Sequence, residues 1–377
     1  MKKLVIYHAF CTDGTAAAVA HRIGYERKHP GKDALDEYTY VPMGHGALDK
    51  ENEFKETIKG FWNVTFLDFA PTASLLTMML DNNIEVTIVD HHKTFIDMVK
   101  EFKHPNMDKL YVVASTDNKL SGATLTWLIG IVGVTPDRPG RSGVLREVEI
   151  HGHKFLLNGS FGFIKEETIL HKDPLYNLIG IRDTWDESNP KMKAKADALH
   201  SYFDFYNVRG FDDFYKFVKD ETFVFNSASI IEAGSMVLEF NKRICKDALK
   251  NAYTKTIETS QGPIKLAIGI APDGQGSQYG QTWADMNPGQ KAISVAVFVN
   301  FLKQTVTLGM RSRNIDALPL ASSFHNGGGH PMACGCSLTN VSIPYEHSTP
   351  GVTDFIDWII HEIGERVETI YNVEVEA

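Results

Sequence analysis

The chain has 377 residues, 43% of them hydrophobic and 23% charged, with a formal net charge of −9. That length suits two compact domains and a connector better than one core, and the composition is that of an ordinary soluble globular protein. The negative charge argues against tight binding of long duplex DNA or RNA, where affinity comes mostly from lysine and arginine neutralising phosphates.

The N-terminal run Met1–Phe10 could open a signal peptide, but Thr12, Asp13 and Gly14 break it at once and no cleavage pattern follows. A first strand over Leu4–His8 is the better reading, followed by an Ala-rich helix over Gly14–Arg27. Strands are predicted at Tyr38–Val41, Val64–Asp68, Glu85–Asp90 and Leu110–Ala114, with a helix over Thr72–Asn82 that Thr72 caps. Strand–helix alternation with near-continuous apolar strands predicts a parallel sheet covered on both faces. Ser121–Val134 reads as a helix, and Thr135–Gly159, rich in Pro, Gly and charge, as an inserted loop or hairpin. Helices resume between Leu175 and Asp220, and a long one over Ser227–Tyr253 is the expected connector. Strands then follow at Ile264–Ile270, Ala292–Asn300 and Gln304–Leu308, with helices at Asp316–Ser323 and Thr353–Ile370. No run approaches the roughly 18 apolar residues that span a bilayer. Four cysteines (Cys11, Cys245, Cys334, Cys336) are too few for a disulfide framework, which makes a reducing cytoplasm the default.

The acids and histidines fall where strands end. His8 ends the first strand and Asp13-Gly14 follows in the turn; Asp68 ends Val-Thr-Phe-Leu; Asp90-His91-His92 ends Val-Thr-Ile-Val. A lone Asp after a strand is more often a turn former or helix cap, and a lone His is usually a hydrogen-bonded structural residue. Three strands delivering carboxylates and imidazoles to one edge of a parallel sheet, where such sheets bind ligands, point instead to a metal or phosphate site. Oxygen ligands mixed with imidazole suit Mn²⁺, Mg²⁺ or a related ion better than a thiolate-rich zinc site.

A second signal lies at Gly327-Gly328-Gly329-His330, where glycines let backbone amides approach an anion beside an imidazole. Arg311-Ser312 upstream offers a guanidinium for bidentate phosphate contact. Other features carry less. The glycines from Gly274 to Gly280 lack dinucleotide-binding spacing. Cys334 and Cys336 read as buried small residues. The aromatics Phe203, Phe205, Tyr206, Phe211, Phe214, Tyr215 and Phe217 read as packing for a helical connector, with base stacking as the alternative.

Together His8-Ala-Phe-Cys11-Thr-Asp13-Gly14, Leu67-Asp68, Asp90-His91-His92, Asp117 to Ala123, Arg182-Asp183-Thr-Trp185, Arg311-Ser312 and Gly-Gly-Gly-His330 resemble the DHH phosphoesterase superfamily, in the subgroup with a DHHA1 C-terminal domain. The resemblance covers nearly the whole chain. It implies an α/β fold: a doubly wound, mainly parallel DHH domain at 1–195 with an insertion near 135–159, a helical connector at 196–255, and a smaller mixed DHHA1 domain at 256–377 that closes over the cleft. It also implies Mn²⁺-dependent hydrolysis by metal-activated water, with one or two ions and with Mg²⁺ or Co²⁺ as substitutes. By position, His8, Asp13, Asp68, His91 and Asp183 look like metal ligands, with Asp68 bridging. His92 would face the scissile phosphate and Asp90 would orient its neighbours. Arg311, Ser312, Gly328, Gly329 and His330 would hold a terminal or non-scissile phosphate. Many members carry an aspartate where this chain has Cys11, which leaves the part of Cys11 open.

Within that resemblance the acidic charge favours a cytoplasmic phosphodiesterase for short oligonucleotides or dinucleotides, related to oligoribonucleases, over a processive RecJ-like nuclease. Cyclic-dinucleotide cleavage and bisphosphonucleoside dephosphorylation are the nearest rivals, and a non-catalytic nucleotide sensor is the rival of another class. The expected partners are short oligonucleotides, dinucleotides or other small phosphate esters, with no long duplex and no membrane. A homodimer is compatible with this reading.

Overall fold

The computed structural model describes residues 3–9, 11–44, 48, 51–130, 144–150, 152–158, 173–272, 274–300, 302, 305–324, 327–339 and 349–372. The chain divides into two units, Met1–Leu238 and Glu239–Ala377.

The first unit is built on seven strands: β1 Lys3–His8, β2 Tyr38–Met43, β3 Asn63–Leu67, β4 Glu85–Asp90, β5 Leu110–Ser115, β6 Leu145–Ile150 and β7 His153–Asn158. Their order is β2-β1-β3-β4-β5-β7-β6. The first five run parallel and the β6–β7 hairpin adds antiparallel at the β5 edge. The helices are α1 Thr12–Lys28, α2 Ala34–Glu37, α3 Glu51–Ile58, α4 Ala73–Asp81, α5 Lys93–Glu101, α6 Gly122–Gly130, α7 Pro174–Asp183, α8 Pro190–Phe205, α9 Phe211–Lys219 and α10 Thr222–Leu249.

Alternation along the strands decides which layer each residue joins. Leu4, Ile6, Val64, Phe66, Val86 and Ile88 point into one core, shared with α3, α4 and α5. Val5, Tyr7, Leu67, Val89 and Val113 point into the other, against α1, α6 and α7. With both faces buried, the sheet is doubly wound as predicted. The parallel register pairs Tyr7 with Leu67 and Leu67 with Val89, so the next residues, His8, Asp68 and Asp90, emerge together at the carboxyl edge.

Several boundaries differ from the sequence expectation. The inserted segment is a hairpin over β6 and β7, while 135–143, 151 and 159 lie outside the described residues. The helix expected over Ser121–Val134 runs Gly122–Gly130, and 131–134 likewise lie outside them. The long helix starts five residues earlier than predicted, at Thr222, and is interrupted at Asn226 (φ −124°, ψ 18°). Length and composition alone would let α10 cross a bilayer, a candidate that a search for an uninterrupted apolar run passes over. Phe203, Phe214, Phe217, Phe223 and Ile230 belong to the first unit's core. Packing does not explain all the aromatics of this region: Phe205 and Tyr206 are 66% and 52% exposed.

The second unit holds a mixed sheet in the order β12-β13-β11-β10-β9-β8, from β8 Tyr253–Ile257, β9 Ile264–Ile270, β10 Lys291–Asn300, β11 Thr305–Arg313, β12 Gly328–His330 and β13 Ala333–Thr339. Only β9 and β10 pair in parallel. Helices α11 Gly276–Met286, α12 Leu318–Ser322 and α13 Thr349–Tyr371 complete it. The strand expected to end at Leu308 continues to Arg313, so Arg311 and Ser312 lie within β11, and the helix expected over Asp316–Ser323 shortens to α12. Cys334 and Cys336 are buried in this core, as the sequence suggests.

Candidate metal centre

Each residue at the carboxyl edge of the first sheet is fixed by its own local structure. Asp68 follows β3 with a left-handed backbone (φ +52°), uncommon outside glycine and held here by its amide donating to the Val89 carbonyl at 2.8 Å. Two glycines make the site possible. A Cβ on Gly122 would lie 2.5 Å from the Asp68 Cβ, and one on Gly14 would lie 2.4 Å from the His8 carbonyl oxygen. Their bare backbones let the starts of α6 and α1 close on the strand ends.

The geometry then joins four segments. His91 Nε2 stands 3.3 Å from Asp68 Oδ1 and 3.1 Å from Asp183 Oδ2, at the end of α7. His8 Nδ1 lies 3.6 Å from Asp68 Oδ2. Asp13, buried in the first turn of α1, accepts the Ala123 amide at Oδ2 at 3.1 Å. Asp13, His91 and Asp183 can each present a ligand atom within 4.8 Å of the others, and so can His8, Cys11 and Asp68. Asp90 serves its neighbours: its Oδ1 accepts the amides of His91 (2.7 Å) and His92 (3.1 Å) and the Nδ1 of His92 (2.6 Å).

The electrostatics expose a deficit of positive charge. Asp13, Asp68 and Asp90 are each 1% exposed. Among the described residues no lysine or arginine pairs with Asp13, Asp68 or Asp183. Burial, then the charges of Asp68 and Asp183, push the Asp13 carboxyl well above its usual range. Burial opposes ionisation of Asp68 as well, but His8 and His91 hold it well below the usual carboxylate value. Burial would depress both imidazoles, yet Asp183 and Asp68 raise His91 well above an ordinary imidazole, and Asp90 raises His92. The Cys11 thiol is pushed well up by burial and by Asp68, Asp183 and Asp13. Asp13 Oδ1, both oxygens of Asp68 and Asp183 Oδ2 complete no well-aligned hydrogen bond, and the basic groups beside Asp68 and Asp183 are the imidazoles of His8 and His91. Buried carboxylates are stable only when paired or coordinated, and this O,N-rich set fits a divalent ion.

Sequence reasoning missed one orienting contact. Asn118 Oδ1 accepts from His91 Nδ1 at 3.1 Å, which places the Nδ1 proton there and directs Nε2 at the carboxylates. Within the stretch Asp117 to Ala123, Asn118, itself at φ +53°, is the residue that touches the cluster, and a polar side chain suited to left-handed backbone is the signal the sequence offers for it.

In the second unit Arg311 is pinned to α11. Its Nη2 donates to Ser277 Oγ at 2.6 Å and its Nη1 to the Met310 carbonyl at 2.8 Å. Gly280 makes room for its stem, since a Cβ there would lie 2.3 Å from Arg311 Cβ. Ser312 instead turns its hydroxyl to the Ile315 carbonyl at 2.7 Å. The glycine run is partly a steric necessity. Cβ atoms at Gly327 and Gly329 would collide with the Ala321 and Ala333 carbonyls, and Gly329 has φ +129°. Gly328 is different, for a Cβ there would meet nothing within 4 Å. Gly328 and His330 lie on β12, paired with β13.

Fold and site define a two-unit α/β protein with a carboxylate–histidine cluster at the carboxyl ends of a mainly parallel sheet. No family model matches the chain, and no curated protein matches it. Among solved structures, it is similar to a DHH-domain protein described as a member of the s1p family of ribosomal proteins, at 13% identity and TM-score 0.49, over 95% of this chain and 86% of that one. It is also similar to RecJ in complex with Mn²⁺ from Thermus thermophilus, at 12% identity and TM-score 0.45, over 96% of this chain but only 52% of RecJ.

Proposed function

We propose that the chain is a divalent-metal-dependent phosphoesterase of the DHH type that hydrolyses short oligonucleotides or linear dinucleotides to mononucleotides. The observation that supports this most is the convergence of Asp13, Asp68, His91 and Asp183, buried carboxylates with no lysine or arginine partner among the described residues. His8, Asp13, Asp68, His91 and Asp183 would hold one or two ions, Mn²⁺ by preference, with Asp68 the proposed bridging ligand between them. When bound, such ions lower the pKa of water and neutralise phosphate charge. Asp90 fixes the His92 ring through its Nδ1, which leaves Nε2 as the nitrogen that would face the scissile phosphate and, when protonated, offset charge building there. Arg311, Ser312, Gly328, Gly329 and His330 are the proposed anchors for a non-scissile phosphate; Arg311, with its preset guanidinium, and open Gly328 are the strongest of these.

The net charge of −9 favours short substrates, since long ones need an extended cationic track. The test is a panel of a labelled linear dinucleotide, a longer oligonucleotide, a cyclic dinucleotide and a 3′,5′-bisphosphorylated nucleoside, each with Mn²⁺. The fastest turnover is expected on the linear dinucleotide. A cyclic or bisphosphorylated substrate turning over faster would move the substrate assignment, and tight binding without any turnover would overturn the enzyme reading in favour of a sensor.

A further inference from the structure

The two ligand sets at the carboxyl edge differ in kind. Asp13, His91 and Asp183 offer oxygen, nitrogen and oxygen, whereas His8, Cys11 and Asp68 offer nitrogen, sulfur and oxygen, with the donor atoms of each set within 4.8 Å of one another. Asp68 is 1% exposed and its oxygens complete no well-aligned hydrogen bond, with His8 Nδ1 3.6 Å from Oδ2 and His91 Nε2 3.3 Å from Oδ1. Cys11 immediately precedes α1, which fixes its place beside His8 and Asp68. Cys245, Cys334 and Cys336 are buried, which leaves Cys11 as the one cysteine of the four with partial exposure.

Ligand softness decides which ion each set prefers. Thiolate with imidazole and one carboxylate is a zinc-type donor set, with bonds of about 2.0–2.3 Å, while carboxylate-rich sets suit Mg²⁺ and Mn²⁺. We infer that the His8–Cys11–Asp68 set is a site for a thiophilic divalent cation of the Zn²⁺, Co²⁺ or Fe²⁺ class, distinct from the hard-ion set at Asp13–His91–Asp183. Cys11 binds as thiolate, its proton passing to solvent as the sulfur–metal bond forms. The centre would then be asymmetric, with one soft-ion set and one hard-ion set side by side. This inference rests on the metal-centre reading above but not on the identity of the substrate.

The test uses the full chain, reduced, stripped with chelator and titrated with Co²⁺ without oxygen. Two signals are followed: near-ultraviolet thiolate-to-cobalt charge-transfer absorption, and the rate at which N-ethylmaleimide modifies Cys11, read by mass spectrometry. The expected results are a charge-transfer band that Zn²⁺ abolishes and excess Mn²⁺ does not, and strong protection of Cys11 by Zn²⁺. Cys11→Asp should lose the band, still bind Co²⁺, and show a Zn²⁺-to-Mn²⁺ affinity ratio about tenfold or more below that of the unaltered chain. Co²⁺ binding without a band, together with unchanged alkylation under saturating Zn²⁺, overturns the inference even if Cys11→Asp fails to fold, because both signals are read on the unaltered protein. A band with no phosphodiester turnover would sink the proposed function and leave this site standing; turnover with no band would do the reverse.

Discussion

The Nδ1 of His91 lies 3.1 Å from Oδ1 of Asn118, and that contact sets which nitrogen the imidazole turns toward Asp68 and Asp183. Removing the acceptor should loosen the ring without removing a ligand. Asn118→Gly is the suitable change, because glycine accepts the φ of +53° more easily than asparagine. Mn²⁺ affinity should fall about 10–100-fold, while thermal stability of the metal-free protein stays nearly unchanged. Calorimetric titration with Mn²⁺ and metal-free melting check both halves.

Gly122 and Gly14 test how closely the helices must approach the strand ends. Gly122→Ala places a Cβ 2.5 Å from that of Asp68, and Gly14→Ala places one 2.4 Å from the His8 carbonyl oxygen. Each should cost about 1–3 kcal/mol by overpacking and weaken Mn²⁺ binding. Gly44→Ala, where a Cβ meets nothing within 4 Å, should stay within about 0.5 kcal/mol of the parent. Denaturant unfolding in the presence of chelator ranks the three.

Much of this architecture was legible in the sequence, and for a physical reason. Leu4–His8, Val64–Asp68 and Glu85–Asp90 are strands buried on both faces, so near-continuous apolar runs announce them and the residue after each is readily found. What escaped was set by distant contacts. The steric demand on Gly122 arises from Asp68 and that on Gly280 from Arg311, neighbours far apart in the chain. Asn118 acts through a histidine 27 residues away. The extended strand Thr305–Arg313 reflects pairing with β10 and β13, which a local pattern does not encode.

Asp13 supplies a pH dependence with a definite sign. Its carboxyl is held well above the usual range by burial and by Asp68 and Asp183. The folded, metal-free protein therefore holds that proton more tightly than the unfolded chain. Its stabilising contribution is complete below the ordinary carboxyl value of about 4 and is lost as pH rises toward the folded value. In chelator, the stability of Asp13→Asn relative to the parent should increase as pH rises through that window, and Mn²⁺ should stabilise the parent far more than the variant. Denaturant midpoints across pH decide it; a parent–variant difference independent of pH would refute the assignment.

In the second unit, Ser277 and Gly280 preset Arg311. Ser277→Ala removes one hydrogen bond to the guanidinium, worth about 1 kcal/mol or roughly fivefold in binding. KM for a linear dinucleotide should rise by that factor with kcat little changed. Gly280→Ala should raise KM further, since its Cβ would displace the Arg311 stem itself. Ser277→Thr keeps the hydroxyl and should recover most of the loss. Steady-state kinetics on the three variants separate this positioning role from a general loss of fold.

The central claim is that the buried carboxylates around His91 hold a divalent ion that phosphodiester hydrolysis requires. The most direct measurement follows mononucleotide release from a labelled dinucleotide by chelator-treated protein, before and after Mn²⁺ is restored, beside Asp68→Asn, whose asparagine tolerates the left-handed backbone. The account predicts no release without metal, recovery with Mn²⁺, and a folded Asp68→Asn slower by about 10³-fold, equivalent to roughly 4 kcal/mol of transition-state stabilisation. Release that persists in chelator, or Asp68→Asn turning over at the parental rate, would contradict it.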